Sequence, residues 1–138
     1  MTLLERLKNA MNRLERVKPE LGSFPYLAEC IRQEGFVKNS WYLPSGDSFY
    51  FSGEEALVIP GKALIDQVTP CPAFSEKKLI KALRADQAGQ TTFAEFLMAI
   101  WASGIVKYEV NFRERTVTYY GSNDEKYREA YPEVELNE

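Results

Sequence analysis

The stretch that decides the fold is YEVNFRERTVTYYG, residues 108–121. Apolar and polar side chains alternate on both sides of its charged centre, which is the pattern of an antiparallel β-hairpin with one buried face. The alternation predicts that Tyr108 pairs with Tyr119. Val110 then pairs with Val117. A slip of one residue would expose the apolar set of one strand while its partner stayed buried, so the pattern specifies this register.

The connection between these strands is predicted to be a four-residue loop, residues 112–115. A two-residue turn of Arg113 and Glu114 would need positive φ angles that neither residue favours. In this register the apolar face consists of Val106, Tyr108, Val110, Phe112, Val117 and Tyr119. The opposite face carries one aromatic side chain, Tyr120. We interpret the apolar face as core rather than as a platform for bases, because residues 122–138 carry six acidic side chains against two basic ones.

Two helices are predicted to precede the hairpin. Ser75 is the expected N-cap of the first, which ends at Gly89. Thr92 and Glu95 form a capping box for the second, FAEFLMAIWAS. A helix pair followed by a hairpin has the outline of a winged helix-turn-helix, whose recognition helix must present polar and basic side chains to DNA. The second helix offers one charge among apolar side chains, so we predict that it packs in the core against the hairpin.

The N-terminal residues predict two further helices. Leucines at helical spacing, with charges between them, indicate an amphipathic helix that ends at Lys18 because Pro19 follows. A second helix is predicted over residues 24–34, with Pro25 in its first turn and Gly35 after its end.

Residues 36–68 predict a small antiparallel sheet. Val37, Trp41 and Leu43 fall on one side of its first strand, and residues 44–47, PSGD, have strong turn chemistry. Phe49 and Phe51 are expected to continue this apolar pattern on the return strand. Two apolar runs, ALVIPG and ALIDQV, extend the sheet.

After the hairpin, residues 126–131 alternate again and predict a third strand in a meander, with a helix as the alternative and Pro132 as the end of either. The expected fold is therefore α+β. It comprises two N-terminal helices, a small antiparallel sheet, a helix pair, and a C-terminal hairpin or meander packed on an apolar helix. A chain of 138 residues has the size of one domain, so we predict a single domain over residues 1–138.

The composition limits the classes of function. The net charge of -3 gives no overall attraction to nucleic acid or to anionic lipid. No apolar run approaches the roughly 20 residues that span a bilayer, and the charged N-terminus does not resemble a signal peptide. We therefore expect a cytoplasmic protein that binds neither nucleic acid nor membrane. The chain has no histidine and two cysteines, and no cofactor motif, metal-ligand spacing or catalytic constellation is present in the sequence.

Several stretches resemble a known family: FPYLAECIRQEG, WYLPSGDSFYF, ALRADQAGQTTFAEFL, RTVTYYG and YREAYPEV. They are similar to the YbcV/YdfO-like family of small bacterial, prophage-associated proteins, a domain of unknown function often labelled "phage envelope protein". The resemblance spans residues 24–134 and implies an α+β fold and a link to mobile elements. It implies no activity. Family members often have a cysteine at the position of Gly46 and none at the position of Cys71, so no thiol chemistry carries over.

Three functional hypotheses follow. The first is a non-enzymatic protein-interaction module of phage or prophage origin, acting on a protein partner or as a homo-oligomer. The alternative is a small-molecule-binding protein or unusual enzyme, with a cleft near Trp41, Tyr42 and Tyr120. The third is a structural protein of the virion. No catalytic, cofactor-binding or metal-binding residue is predicted under any of them.

Overall fold

The computed structural model describes the whole chain, residues 1–138, as four helices and six strands. The helices are α1 (Leu3–Val17), α2 (Phe24–Gln33), α3 (Glu76–Gln87) and α4 (Phe93–Ala102). The strands are β1 (Lys38–Tyr42), β2 (Ser48–Ser52), β3 (Glu55–Ile59), β4 (Ile105–Asn111), β5 (Thr116–Gly121) and β6 (Lys126–Ala130). All six strands form one antiparallel sheet in the order β3-β2-β1-β4-β5-β6. The α+β fold class predicted from the sequence is confirmed.

Strands β4 and β5 form the predicted hairpin in the predicted register. Tyr108 lies opposite Tyr119, and their ring centroids are 5.7 Å apart. The loop has four residues, and the Asn111 side chain stabilises it. Its Oδ1 accepts hydrogen bonds from the backbone N–H groups of Arg113 at 3.1 Å and Glu114 at 3.0 Å. Strand β6 pairs with β5, so the meander is confirmed and the helical alternative is wrong.

One residue of the hairpin departs from its predicted face. The register of β4 shifts between Ile105 and Lys107, which is a β-bulge. Ile105 takes a fully buried position, whereas Val106 lines a shallow depression beside Tyr42 and Lys107. Val106 also packs against the edge of the core, so its predicted place with Tyr108 holds only in part, because strict alternation ends at the bulge.

The sheet predicted for residues 36–68 is not separate from the hairpin, because β1 pairs with β4. Residues 63–68 do not form the expected strand. Instead, the backbone N–H groups of Leu64 and Ile65 donate hydrogen bonds to the Pro44 carbonyl, at 3.0 and 3.2 Å. This segment therefore crosses the β1–β2 turn and leads toward α3.

The helices cover one side of the sheet. We call this side the inner face. Its side chains include Asn39, Trp41, Tyr50, Tyr108, Val110, Val117 and Tyr119. Helices α2, α3 and α4 lie over it, and α1 packs against α2. The opposite side, the outer face, carries no helix.

Phe49 and Phe51 lie on the outer face. They pair with Ser40 and Lys38 of β1, so Tyr50 between them is the residue that enters the core. The expectation that Phe49 and Phe51 continue the apolar side of β1 is wrong.

Side-chain caps fix the helix starts. The Ser75 hydroxyl accepts a backbone N–H bond at 3.2 Å at the start of α3. Thr92 and Glu95 make the reciprocal bonds of a capping box at 3.1 and 2.9 Å. Both predicted caps are confirmed. Thr2 and Glu5 form a second capping box at the start of α1. None of the four helices combines the length and the apolar character needed to cross a bilayer.

Candidate functional site

A cavity of about 670 Å³ lies between the inner face and helices α2, α3 and α4. Its volume falls in the range of sites that enclose small organic ligands, about 300–1,000 Å³. Most of its lining is apolar, and aromatic side chains dominate the sheet side. The aromatic lining consists of Phe24, Trp41, Tyr50, Phe93, Phe96, Tyr108, Phe112, Tyr119 and Tyr131. We take this cavity as the candidate functional site.

The aromatic wall is built by neighbouring strands. Trp41 of β1 and Tyr108 of β4 stack with centroids 6.2 Å apart. Tyr119 of β5 continues the row, 5.7 Å from Tyr108. Phe93 of α4 meets Trp41 edge to face at 5.2 Å. Because strand spacing fixes these rings side by side, the wall is formed before any ligand arrives.

Trp41 also brings an unsatisfied polar atom to this region. Its Nε1 is buried and has no hydrogen-bond partner in the chain. Leaving a buried donor unpaired costs about 1–3 kcal/mol, so native proteins seldom do so without a reason. By contrast, the neighbouring Asn39 amide is satisfied, because it donates to the Phe49 carbonyl at 2.9 Å.

Three acidic side chains line the cavity: exposed Glu20, Glu129, which is ion-paired with Arg84, and Asp86, on the last turn of α3. Burial raises the pKa of Asp86, and a hydrogen bond from the Thr91 hydroxyl, at 3.3 Å, opposes that rise. No Lys or Arg forms an ion pair with Asp86, since its neighbour Arg84 pairs with Glu129 at 2.6 Å. Asp86 is therefore a half-buried acid without a cationic partner.

Asp86 acts electrostatically on the aromatic wall. Burial raises the pKa of Tyr108 strongly, and the charges of Tyr119, Tyr50 and Asp86 raise it further. The pKa of Tyr119 rises for the same primary reason, with a contribution from Asp86. The Asp86 carboxylate therefore lies near the tyrosines, and the cavity places one half-buried acid without an ion pair beside several aromatic rings.

Asp86 was not among the predicted site residues, although a signal for it exists. Leu79, Ala82 and Leu83 are buried on α3. Asp86 continues their spacing, seven positions after Leu79. An acid at the inner position of a helix indicates a special environment, because carboxylates are rarely placed in a core without a partner.

The three predicted site residues do not line one cleft. Trp41 lies in the cavity. Tyr42 follows it on the same strand and therefore faces the opposite side, where it is 40% exposed. Tyr120 is half-buried on that same outer face. Lys107 joins the two tyrosines, with its Nζ 6.0 Å from the ring centroid of Tyr42 and 4.7 Å from that of Tyr120.

The outer face carries a continuous row of aromatic rings and cations. Phe49 lies 6.2 Å from Phe51 and 5.8 Å from Tyr42, measured between centroids. Lys38 Nζ sits 4.5 Å from the centroid of Phe51. At the other end, Lys126 Nζ lies 5.7 Å from the ring of Tyr120. The row thus extends from β2 to β6.

The charge of the outer face differs in sign from that of the chain. Its charged side chains on the strands are Lys38, Lys107, Glu109, Lys126 and Arg128. The strand residues of this face sum to +3 in a chain whose net charge is -3, and Asp47 of the β1–β2 turn is the acid beside Tyr42, Phe49 and Lys107. The acidic residues are concentrated elsewhere, and whole-chain charge therefore conceals a basic surface.

A comparison with protein-family models matches residues 12–129 to "Protein of unknown function (DUF1398)". The match covers most of the chain, including α2, the whole sheet up to β6, and the cavity between them. The chain belongs to the DUF1398 family. The expectation of a domain of unknown function is thereby confirmed, whereas the YbcV/YdfO-like and prophage labels stay predictions.

Mycobacterial proteins are among the relatives of this DUF1398 chain. The uncharacterized protein Rv2012 of Mycobacterium tuberculosis (strain H37Rv) is 44% identical over 118 residues, which is 86% of this chain and 72% of the relative. The uncharacterized protein Mb2035 of Mycobacterium bovis shows the same identity and coverage. Neither name carries an activity or mentions a phage.

Proposed function

We propose that this DUF1398 protein binds a small organic cation in the cavity between the helices and the sheet. The observation that carries the proposal is Asp86, a half-buried carboxylate without a cationic partner beside a wall of aromatic rings. A carboxylate removed from water is costly unless a positive charge compensates it. A ligand amine supplies that charge.

The aromatic wall suits the same ligand. The π faces of Trp and Tyr attract cations, most strongly when both groups are shielded from water. Trp41 and Tyr108 present such rings on adjacent strands. The proposed function is binding of the cation, and no reaction is assigned to the cavity.

Calorimetric titration tests the proposal with three probes. Benzyltrimethylammonium and phenethylamine are cations, and 2-phenylethanol is the neutral counterpart of phenethylamine. We expect each cation to bind at least tenfold more tightly than the neutral probe. A cation present at one hundred times its Kd should raise the free energy of unfolding by about 2.7 kcal/mol. Equal binding of phenethylamine and 2-phenylethanol, or no heat from either cation, would overturn the proposal.

Two variants identify the group responsible. Asp86→Asn keeps the shape of the side chain and removes its charge, so the preference for cations should disappear. Asp66→Asn is the matched control, because Asp66 is exposed and does not line the cavity. If Asp86→Asn bound both cations as well as the unmodified protein does, the cation would have to lie elsewhere.

The protein-interaction module predicted from the sequence is a second candidate. It is supported by apolar side chains exposed at one end of the outer face, where Tyr42 is 40% and Val58 49% exposed. Light scattering after size-exclusion chromatography tests the homo-oligomeric form. A dimer that dissociates on Val58→Lys substitution would support the homo-oligomeric form, and a monomer at 500 μM would exclude it.

The phage or prophage origin, the virion role and the cytoplasmic location rest on the sequence alone. Each remains a proposal. An antibody against the protein, applied to purified virions and to fractionated cells, tests the virion role and the cytoplasmic location. Absence of the protein from particles would exclude the virion role, and its presence in the membrane fraction would contradict the cytoplasmic location.

A further inference from the structure

We propose that the outer face of the sheet binds single-stranded RNA. This function is independent of the cavity, which lies on the opposite side of the same strands. The proposal differs from the sequence-based expectation that the protein binds no nucleic acid. That expectation used the net charge of the whole chain and not the distribution of charge over its surface. The observation behind it is the row of aromatic rings and cations that crosses the sheet.

The first requirement for such a surface is a set of accessible aromatic rings. Single-stranded nucleic acids bind proteins by stacking bases on aromatic side chains, and any base can do so because each has a π face. Phe49, Phe51 and Tyr42 follow one another at 6.2 and 5.8 Å between centroids on the uncovered side. Tyr42 is 40% exposed and stands edge-on to Phe49, and Phe49 and Phe51 each expose part of a half-buried ring. Tyr120 extends the platform on β5. The row offers more than one stacking position.

The second requirement is a positive field along the same path. Lys38, Lys107 and Lys126 lie within 6.0 Å of the aromatic rings they border. Arg128 stands beside them, with its Nε donating to the Thr118 hydroxyl at 3.3 Å. Phosphates that follow the stacked bases would therefore meet a cation at successive positions.

Glu109 at the centre of the face favours RNA over DNA. Although burial opposes it, hydrogen bonds from Tyr120 and Ser40 lower the pKa of Glu109, so this group is a carboxylate at neutral pH. The Ser40 bond is 3.0 Å long, and Lys38 Nζ forms an ion pair with the same oxygen at 3.6 Å. This leaves three cations for phosphate, Lys107, Lys126 and Arg128. A carboxylate accepts hydrogen bonds and repels phosphate, so the nucleic-acid group that suits it is a donor. A ribose 2′-hydroxyl provides one at each nucleotide, and deoxyribose does not.

Charge argues against a second copy of the chain on the basic part of the outer face, as distinct from the apolar end of that face at Val58. Two outer faces packed together would bring a net charge of +3 against another of +3. An anionic polymer is the complementary partner. An acidic protein shares the charge but offers no regular series of planar rings for the aromatic row.

Fluorescence anisotropy with a labelled mixed-sequence RNA 12-mer tests the proposal on the full chain. For three cations facing phosphates, the affinity should fall about twentyfold between 50 and 200 mM KCl. The DNA 12-mer of the same sequence should bind at least threefold more weakly. No change in anisotropy at 100 μM protein in 50 mM KCl would overturn the proposal, and equal binding of DNA would overturn the assignment to RNA.

Charge-matched variants locate the surface. Lys107→Ala/Lys126→Ala removes two cations from the outer face and should weaken RNA binding at least tenfold. Lys77→Ala/Lys78→Ala removes two exposed cations from α3 and should change it less than twofold. Equal losses in both double variants would mean that only net charge matters and would overturn the proposal.

An aromatic variant and a competitor complete the test. Phe49→Leu keeps an apolar side chain but removes its ring, and should weaken binding at least fivefold. Thermal unfolding of each variant checks that the fold is intact. Poly-L-glutamate should not displace the RNA at equal charge concentration. Displacement by this polymer, or unchanged RNA binding by Phe49→Leu, would assign the face to acidic proteins instead.

Discussion

Trp41 and Tyr108 stand opposite each other on β1 and β4, with ring centroids 6.2 Å apart and ring planes within 1° of parallel. The ladder that contains this pair is the sole join between the N-terminal strands and the C-terminal meander. The same two rings form part of the cavity wall. The register that unites the sheet therefore also sets the shape of the candidate site.

The unpaired Trp41 nitrogen leads to the first prediction. Trp41→Phe removes the buried donor while keeping an aromatic ring, so the free energy of unfolding should change by less than about 1 kcal/mol. Trp41→Ala removes the ring as well and should cost about 2–4 kcal/mol. Urea denaturation measures both. A large loss of unfolding free energy in Trp41→Phe would show that Trp41 Nε1 has a hydrogen-bond partner after all.

The pKa of Asp86 leads to a second prediction, about the free protein. Because burial raises this pKa, the folded chain holds the Asp86 proton more tightly than the unfolded chain does. The resulting stability is present below the ordinary aspartate pKa, about 3.9, and is lost as pH rises through the raised value. Asp86→Asn has no such proton, so its stability relative to the unmodified protein should increase across this window. Thermal melts at closely spaced pH values measure the difference.

Ligand binding should show the opposite pH dependence, and this is a third prediction. Only the ionised form of Asp86 compensates a cation, so the affinity for benzyltrimethylammonium should rise as pH increases through the raised pKa. The affinity of 2-phenylethanol should stay constant over the same range. A cation affinity independent of pH between 3.5 and 7 would show that Asp86 does not contact the charge.

The local parts of the fold were predictable because neighbouring residues determine them. The capping box of Thr92 and Glu95 lies within a single turn, and the Tyr108–Tyr119 register follows from alternation along one hairpin. The β1–β4 pairing was not predictable in the same way. It joins Trp41 to a residue 67 positions later, and the apolar pattern of a strand does not specify which partner it takes.

The two faces of β2 show a second limit. Phe49, Tyr50 and Phe51 are all aromatic, so alternation of residue type does not tell which side enters the core. The structure buries Tyr50, and this places two phenylalanines on the outer face. The aromatic and basic surface was missed for this reason, since its residues lie on five different strands that only the sheet brings together.

Gly46 and Gly53 form a matched pair for a fourth prediction. Both have positive φ, 78° and 61°, so alanine costs about 1–2 kcal/mol of backbone strain at either position. A Cβ on Gly53 would meet open space, whereas one on Gly46 would lie 2.2 Å from the Lys62 carbonyl oxygen. Gly46→Ala should therefore be destabilising by about 2 kcal/mol more than Gly53→Ala. Equal losses of unfolding free energy in urea denaturation would show that the segment containing Lys62 moves away from the new Cβ without a loss of stability.

The last prediction concerns Glu29, which connects α2 to the β4–β5 loop. Glu29 is only 7% exposed. It accepts hydrogen bonds from Arg32 at 2.9 and 2.6 Å and from Gln33 at 2.8 Å. Arg115, from the β4–β5 loop, approaches the same carboxylate at 3.7 Å. Removing one partner of a buried ion pair is strongly destabilising, so Glu29→Gln should cost about 2–3 kcal/mol at pH 7.

The pH dependence distinguishes this charge from simple packing. The hydrogen bond from Arg32, opposed by burial, lowers the pKa of Glu29. Its stabilisation is therefore present above the ordinary glutamate pKa and is lost as pH falls through the lowered value. Protonated Glu29 resembles Gln, so the deficit of Glu29→Gln should disappear toward the acid end of the titration. Glu54→Gln, at an exposed turn residue without an ion pair, should show no deficit at any pH. A Glu29→Gln deficit that stayed constant from pH 7 to pH 2.5 would mean that shape, rather than charge, holds α2 to the hairpin.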